Sequence, residues 1–208
     1  MRNDPFRYGV PVHAQLFMNL GDAQFKDVTD DYAPHFNHLG MLTDAAVFDF
    51  DQDGDDDIVF VGDWMPPTIF EYTNGKFQRS KISDQLSAYS GRWNSIQLVD
   101  LNHDGVDDFV VGNSGLNVRN KASEGTPWIM YVHDFDQNGT VESIWCIREG
   151  NHDYPLIMYA DLTKQIPILR KNFPSHHSYS TASIKDIFTE SQLNEAIQNE
   201  VKELRSGV

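Results

Sequence analysis

The apolar positions between residues 12 and 150 come in short runs. "AAVF", "SIQLV" and "WIMYV" each lead into a polar turn, and "IVFV", "FVV" and "SIWCI" lead out. The runs are β-branched or aromatic enough to read as strands. Two further strand pairs flank the first turn. "QLFMNLGDAQFKDVT" supplies strands about a Gly-Asp turn, and "TIFEYTNGKFQRSKI" supplies a hairpin about Asn74-Gly75. The pattern predicts antiparallel units of four strands each. From about residue 150 it changes to "NHDYPLIMYADLTKQIPILRKNFPSHHSYST", irregular and punctuated by proline. One helix is expected near "LTKQIPILRKNF", broken by Pro167. In "TESQLNEAIQNEVKELRS", Leu193, Ala196, Ile197, Val201 and Leu204 share one helical face, with Thr189 or Ser191 as cap. That spacing predicts a helix over about 190–205.

The polar turns are three copies of one pattern: "DFDQDGDDD" at 49–57, "DLNHDGVDD" at 100–108 and "DFDQNGTVE" at 134–142. Each has acidic or amide residues at the first, third and fifth places, Gly at the sixth and a carboxylate at the ninth. The copies begin 51 and then 34 residues apart, a range that fits propeller blades rather than short solenoid coils.

Six Asp within nine residues repel one another unless a cation lies between them. Ca²⁺ takes about six to eight hard oxygen ligands, and a nine-residue loop with side chains at alternate places can converge on one ion. In the first copy Asp49, Asp51, Asp53 and Asp57 are the candidate side-chain ligands, and Gly54 permits the positive φ that bends the loop back. The seventh place varies in chemistry (Asp55, Val106, Thr140), as expected where only the backbone carbonyl is used. The second set is Asp100, Asn102, Asp104 and Asp108. The third is Asp134, Asp136, Asn138 and Glu142, the weakest by composition because Asn138 removes a charge and Glu142 is longer. Two to three Ca²⁺ ions are therefore expected. An EF-hand would need a bidentate Glu at place twelve and helices on either side. Place twelve is Phe60, Val111 and Trp145, and the flanks read as strands, so an EF-hand is excluded.

Asp-x-Asp-x-Asp-Gly-x-x-Asp between strands resembles the Ca²⁺ loop of FG-GAP/VCBS repeats, the blades of integrin-alpha-type β-propellers. The resemblance covers roughly residues 12–150. "GRWNSIQLVDLNHDGVDDFVVGNSGLN" is similar to large bacterial surface or secreted VCBS-repeat proteins, some of which carry ASPIC/UnbV modules. What the resemblance implies is an all-β fold, a partial β-propeller of about three antiparallel blades with a C-terminal irregular and helical segment. Residues 1–150 would form the calcium-binding blades, and 151–208 an insertion or degenerate blade ending in an amphipathic helix. Such a family propeller has about seven blades, and three do not close a ring, so further blades from a longer parent chain are expected.

Composition narrows the partners. The 208 residues carry 16 basic and 31 acidic side chains, a formal charge of -15 with no Lys/Arg cluster, which argues against nucleic acid. Cys146 is the single cysteine, expected as a small buried hydrophobe. No run of about 18 apolar residues is present, and "MRNDPFRYGV" has no apolar signal-peptide core.

Catalytic motifs are absent: no HExxH, GxSxG or Walker loop occurs, and His35, His38, His176 and His177 read as ordinary histidines. Trp64, in "GDWMPPT", is the candidate for an exposed aromatic platform, and Asn113, Asn117 and Arg119 for a binding rim. The reading that follows is a non-enzymatic, calcium-stabilised binding or scaffold module of an exported bacterial protein. It would act outside the cell, at its surface or in the periplasm, on an unknown protein or glycan ligand. The alternatives are the propeller of a polysaccharide lyase or hydrolase and, more remotely, an intracellular Ca²⁺ sensor.

Overall fold

The computed structural model describes residues 7–208. Residues 1–6, the start of the stretch read above for an export signal and of the 1–150 segment, lie outside the described residues. Two compact units are present, one of Pro11–Val118 with Leu204–Val208, the other of Arg119–Glu203 with residues 7–10. The fold is mostly β, with antiparallel sheets and several short helices.

In the first unit, β1 (Phe17–Gly21) and β2 (Gln24–Asp27) form a hairpin. Its turn residues Asp22 and Ala23 have φ of 48° and 58°. A five-stranded sheet follows, built from β3 (Met41–Phe48), β4 (Asp57–Met65), β5 (Thr68–Thr73) and β6 (Lys76–Arg79) in that order, with β7 (Gly91–Arg92) paired to β4. The β5–β6 turn is the expected Asn74-Gly75 pair, both at positive φ (54° and 78°), the backbone that two-residue hairpins of this twist require. A separate antiparallel pair joins β8 (Ser95–Val99) to β9 (Asp108–Gly112).

β4 is buried along its whole length because both of its faces are covered. Alternate side chains point to opposite sides of a strand. Val59 and Val61 accordingly pack with Phe48, Ile69, Trp93, Ile96 and Val111, while Ile58 and Phe60 pack with Phe36, Phe70 and Phe77. Each such side chain contributes about 1.5–3 kcal/mol on burial. Polar ties hold β3 beside β8: Thr43 Oγ1 donates to the Trp93 carbonyl at 2.8 Å, and Ile96 N–H donates to Asp44 Oδ2 at 3.1 Å.

Trp64 corrects the sequence expectation, being only 3% exposed. It sits at φ 60° where the pairing of β4 with β7 shifts between Asp63 and Met65. An irregularity of this kind re-aims a side chain, and here the indole is buried rather than offered as a platform.

In the second unit β10 (Trp128–His133), β11 (Glu142–Glu149), β12 (His152–Pro155) and β13 (Ile197–Val201) form an antiparallel sheet in the order β12-β11-β10-β13. Ile129, Tyr131, Ile144 and Cys146 pack against Leu162, Ile166, Leu169, Ile184 and Phe188 from the short helical segments. Cys146 is fully buried, and burial pushes its thiol pKa well above the ordinary range. Helices Tyr159–Gln165 and Leu169–Asn172 lie either side of Pro167, as expected.

The helix expected over 190–205 is shorter. It spans Glu190–Glu195, started by a capping box in which Thr189 accepts from Gln192 N–H, and the chain then extends into β13. Trp128–Val132 of β10 pair with Val201–Ile197. Without that partner the β10 edge would carry unpaired backbone groups, and pairing them outweighs helix propensity over the last stretch. No helix among the described residues is long and apolar enough to cross a membrane.

Candidate metal centres

Each acidic turn joins two antiparallel strands at the same register. Phe48 faces Asp57, Val99 faces Asp108, and His133 faces Glu142, so the first eight loop positions bridge strand ends and the ninth begins the next strand. Three loops of different composition adopt one hydrogen-bond frame. The first-place carboxylate accepts two consecutive N–H groups: Asp49 from Asp53 and Gly54 (both 3.1 Å), Asp100 from Asp104 and Gly105 (3.2 and 2.9 Å), Asp134 from Asn138 and Gly139 (2.9 and 2.8 Å). The fifth place accepts from the seventh: Asp53 from Asp55, Asp104 from Val106, Asn138 from Thr140. The ninth place reaches back to the second-place N–H, Asp57 to Phe50, Asp108 to Leu101 and Glu142 to Phe135.

The backbone explains the bend. The sixth-place glycines have φ of 94°, 87° and 90°, and the fourth-place residues Gln52, His103 and Gln137 are also left-handed, at 61°, 63° and 59°. The fourth place was not singled out from the sequence: His is enriched at positive φ and His103 carries that weak signal, but Gln52 and Gln137 carry none.

The candidate ligands fall into different groupings. Carboxylate oxygens of Asp49, Asp51 and Asp57 lie within 4.8 Å of one another, as do those of Asp134, Asp136 and Glu142. Asp53 and Asn138, at the fifth place, hold the loop's own N–H groups. In the second loop Asn102 occupies the third place, and its Nδ2 donates to Asp104 Oδ2 at 2.8 Å. The third loop, the weakest by composition, thus gathers three carboxylates as the first does, the longer Glu142 still reaching the Phe135 N–H at 2.9 Å. Asp55, Val106 and Thr140 supply backbone donors to the fifth place; Thr140 Oγ1 also donates to Asn138 Oδ1, at 2.5 Å.

The donor chemistry fits a hard divalent cation. Asp136 Oδ1 is buried and accepts no hydrogen bond among the described residues, a costly state for an anionic oxygen that a cation would relieve. Burial, and then the charges of Asp136 and Asp134, push the Glu142 carboxyl above the usual carboxylate range. Crowded anions of this kind resist ionising together unless a positive charge joins them.

Residues 49–111 match the family model of the FG-GAP-like repeat. The match runs from the first acidic loop, through β4–β9, into the strand after the second loop. No curated protein and no solved structure matches the chain. The FG-GAP-like repeat supports a propeller-like module over the stretch it covers.

The expected binding rim divides. Asn113 Oδ1 accepts from Arg92 N–H at 3.2 Å and from Ser114 N–H at 2.7 Å, so that side chain braces its own loop. Asn117 and Arg119 are exposed.

Proposed function

We propose that the chain is a calcium-stabilised, propeller-like segment of an exported bacterial protein, serving as a binding or scaffold module rather than an enzyme. The observation that carries this reading is the repetition of one hydrogen-bond frame in three loops, with carboxylates left converging in the first and third. Asp49, Asp51 and Asp57 would hold one ion, and Asp134, Asp136 and Glu142 a second. Asp100, Asn102 and Asp108 offer a third, weaker set. A bound Ca²⁺ would supply the positive charge that offsets the repulsion and clips two strand ends together. Weak sites suffice outside the cell, where calcium is abundant, which favours an extracellular, cell-surface or periplasmic location. The ligand would be a protein or a glycan; a formal charge of -15 argues against nucleic acid. Further blades would come from a longer parent chain.

Calorimetric titration with CaCl₂ tests this reading. Saturable heats with two to three sites per chain support it, and their absence in a folded, EDTA-treated sample overturns it.

A further inference from the structure

The second unit contains a cavity of about 720 Å³ remote in sequence from the matched repeat. Its size falls within the roughly 300–1,000 Å³ of small-molecule sites. Its lining is mostly polar, where most such sites are mostly apolar.

Tyr131, Arg148 and Asp153 form a fixed polar wall. Arg148 grips Asp153 with two bonds, Nε to Oδ1 at 2.7 Å and Nη2 to Oδ2 at 2.9 Å, and the Tyr131 hydroxyl donates to Asp153 Oδ2 at 2.6 Å. The Asp153 side chain is buried, while the Arg148 side chain is partly exposed and its Nη1 faces Glu200 Oε1 at 4.0 Å. Opposite chemistry is available at the rim, where the side chains of Asn151 and Asn194 have no hydrogen-bond partner among the described residues. Each amide offers both a donor and an acceptor. Charges in the lining balance, with Arg148 and Lys185 against Asp153 and Glu190.

We infer that this cavity binds a neutral saccharide unit. Vicinal hydroxyls need donors and acceptors side by side, which a clamped carboxylate–guanidinium pair flanked by unengaged amides provides. The balanced lining gives no net attraction to an anion, and the charge of -15 on the chain repels acidic polysaccharides. The inference gives the binding role proposed above a site and a ligand class, and it rests on that reading for the role alone.

The test is ligand-observed NMR and calorimetry of the full chain with glucose, galactose, mannose, N-acetylglucosamine and their β- and α-linked disaccharides. Glucuronate and inorganic sulfate serve as charged probes. At least one neutral saccharide is expected to bind at millimolar concentration or tighter. The exposed-site double variant Asn151→Ala/Asn194→Ala is expected to weaken it at least about tenfold, with an unchanged unfolding midpoint and an unchanged calcium titration. Three results would overturn the inference: no saccharide binding, equal binding by the double variant, or binding of glucuronate or sulfate alone. Saccharide binding in a chain that takes up no calcium would remove the calcium reading and leave this one standing.

Discussion

The carboxylate of Asp57 accepts the backbone N–H of Tyr72 at 2.7 Å, joining the end of the first acidic loop to the β5 strand beside it. Its other oxygen accepts the Phe50 N–H at 2.9 Å, and the residue is 1% exposed. Asp57 is thus a structural brace as well as a candidate ligand. Asp57→Ala, measured by urea denaturation in EDTA, should cost about 2–4 kcal/mol, because two half-buried N–H groups lose their acceptor. Asp55→Ser, at the exposed seventh place, should change stability by less than about 0.5 kcal/mol.

The left-handed fourth place gives a second outcome. At φ 63°, His103 adopts a conformation that a β-branched residue strongly resists. His103→Val should lose about 1–2 kcal/mol in the same denaturation assay, and His103→Asn should be close to neutral. Equal stability of the two variants would mean that the loop relaxes freely.

Glu142 separates the third loop from the first. Glu142→Gln removes one of the three converging carboxylates while keeping the side-chain length and an oxygen for the Phe135 N–H. Calorimetry should show the loss of one calcium site, or its weakening by at least about tenfold, with the first-loop site intact.

Acid sensitivity should reside partly in the second unit. Burial alone would raise the Asp153 pKa, but the Arg148 ion pair and the Tyr131 hydroxyl outweigh it and hold the carboxyl below its ordinary value. Its stabilising contribution is therefore present above about pH 4 and disappears as the pH falls through the depressed folded-state value. Asp153→Asn should flatten the loss of stability below about pH 4. At pH 7 it should be less stable by about 1–3 kcal/mol, since Arg148 loses its charged partner.

The strand-turn-strand units were legible because their signals are local. Apolar runs, Asn74-Gly75 and the recurring glycine place both the hairpins and the three loops. The segment after Glu195 was not legible, because Ile197 and Val201 satisfy a helical spacing equally well, and only the open edge of β10 decides in favour of a strand. Trp64 was misplaced for a similar reason: its burial depends on a shift in pairing with β7, a partner distant in sequence. In the loops, composition ranked the third below the second. Geometry brings together the first, third and ninth places, so Asn102 at the third place takes a carboxylate out of the second loop's group, while Asn138 at the fifth place leaves the third loop's group complete.

If the acidic loops hold calcium, the ion stabilises the fold. Thermal unfolding in EDTA and in excess CaCl₂, with wild type beside the triple variant Asp49→Asn/Asp100→Asn/Asp134→Asn, tests this most directly. Saturating one site at about a hundred times its Kd stabilises by about 2.7 kcal/mol, so wild type should melt at least about 5 °C higher in calcium. The triple variant should show little or no calcium-dependent rise. An identical melting temperature for wild type in EDTA and in CaCl₂ would mean that no calcium ion stabilises this fold.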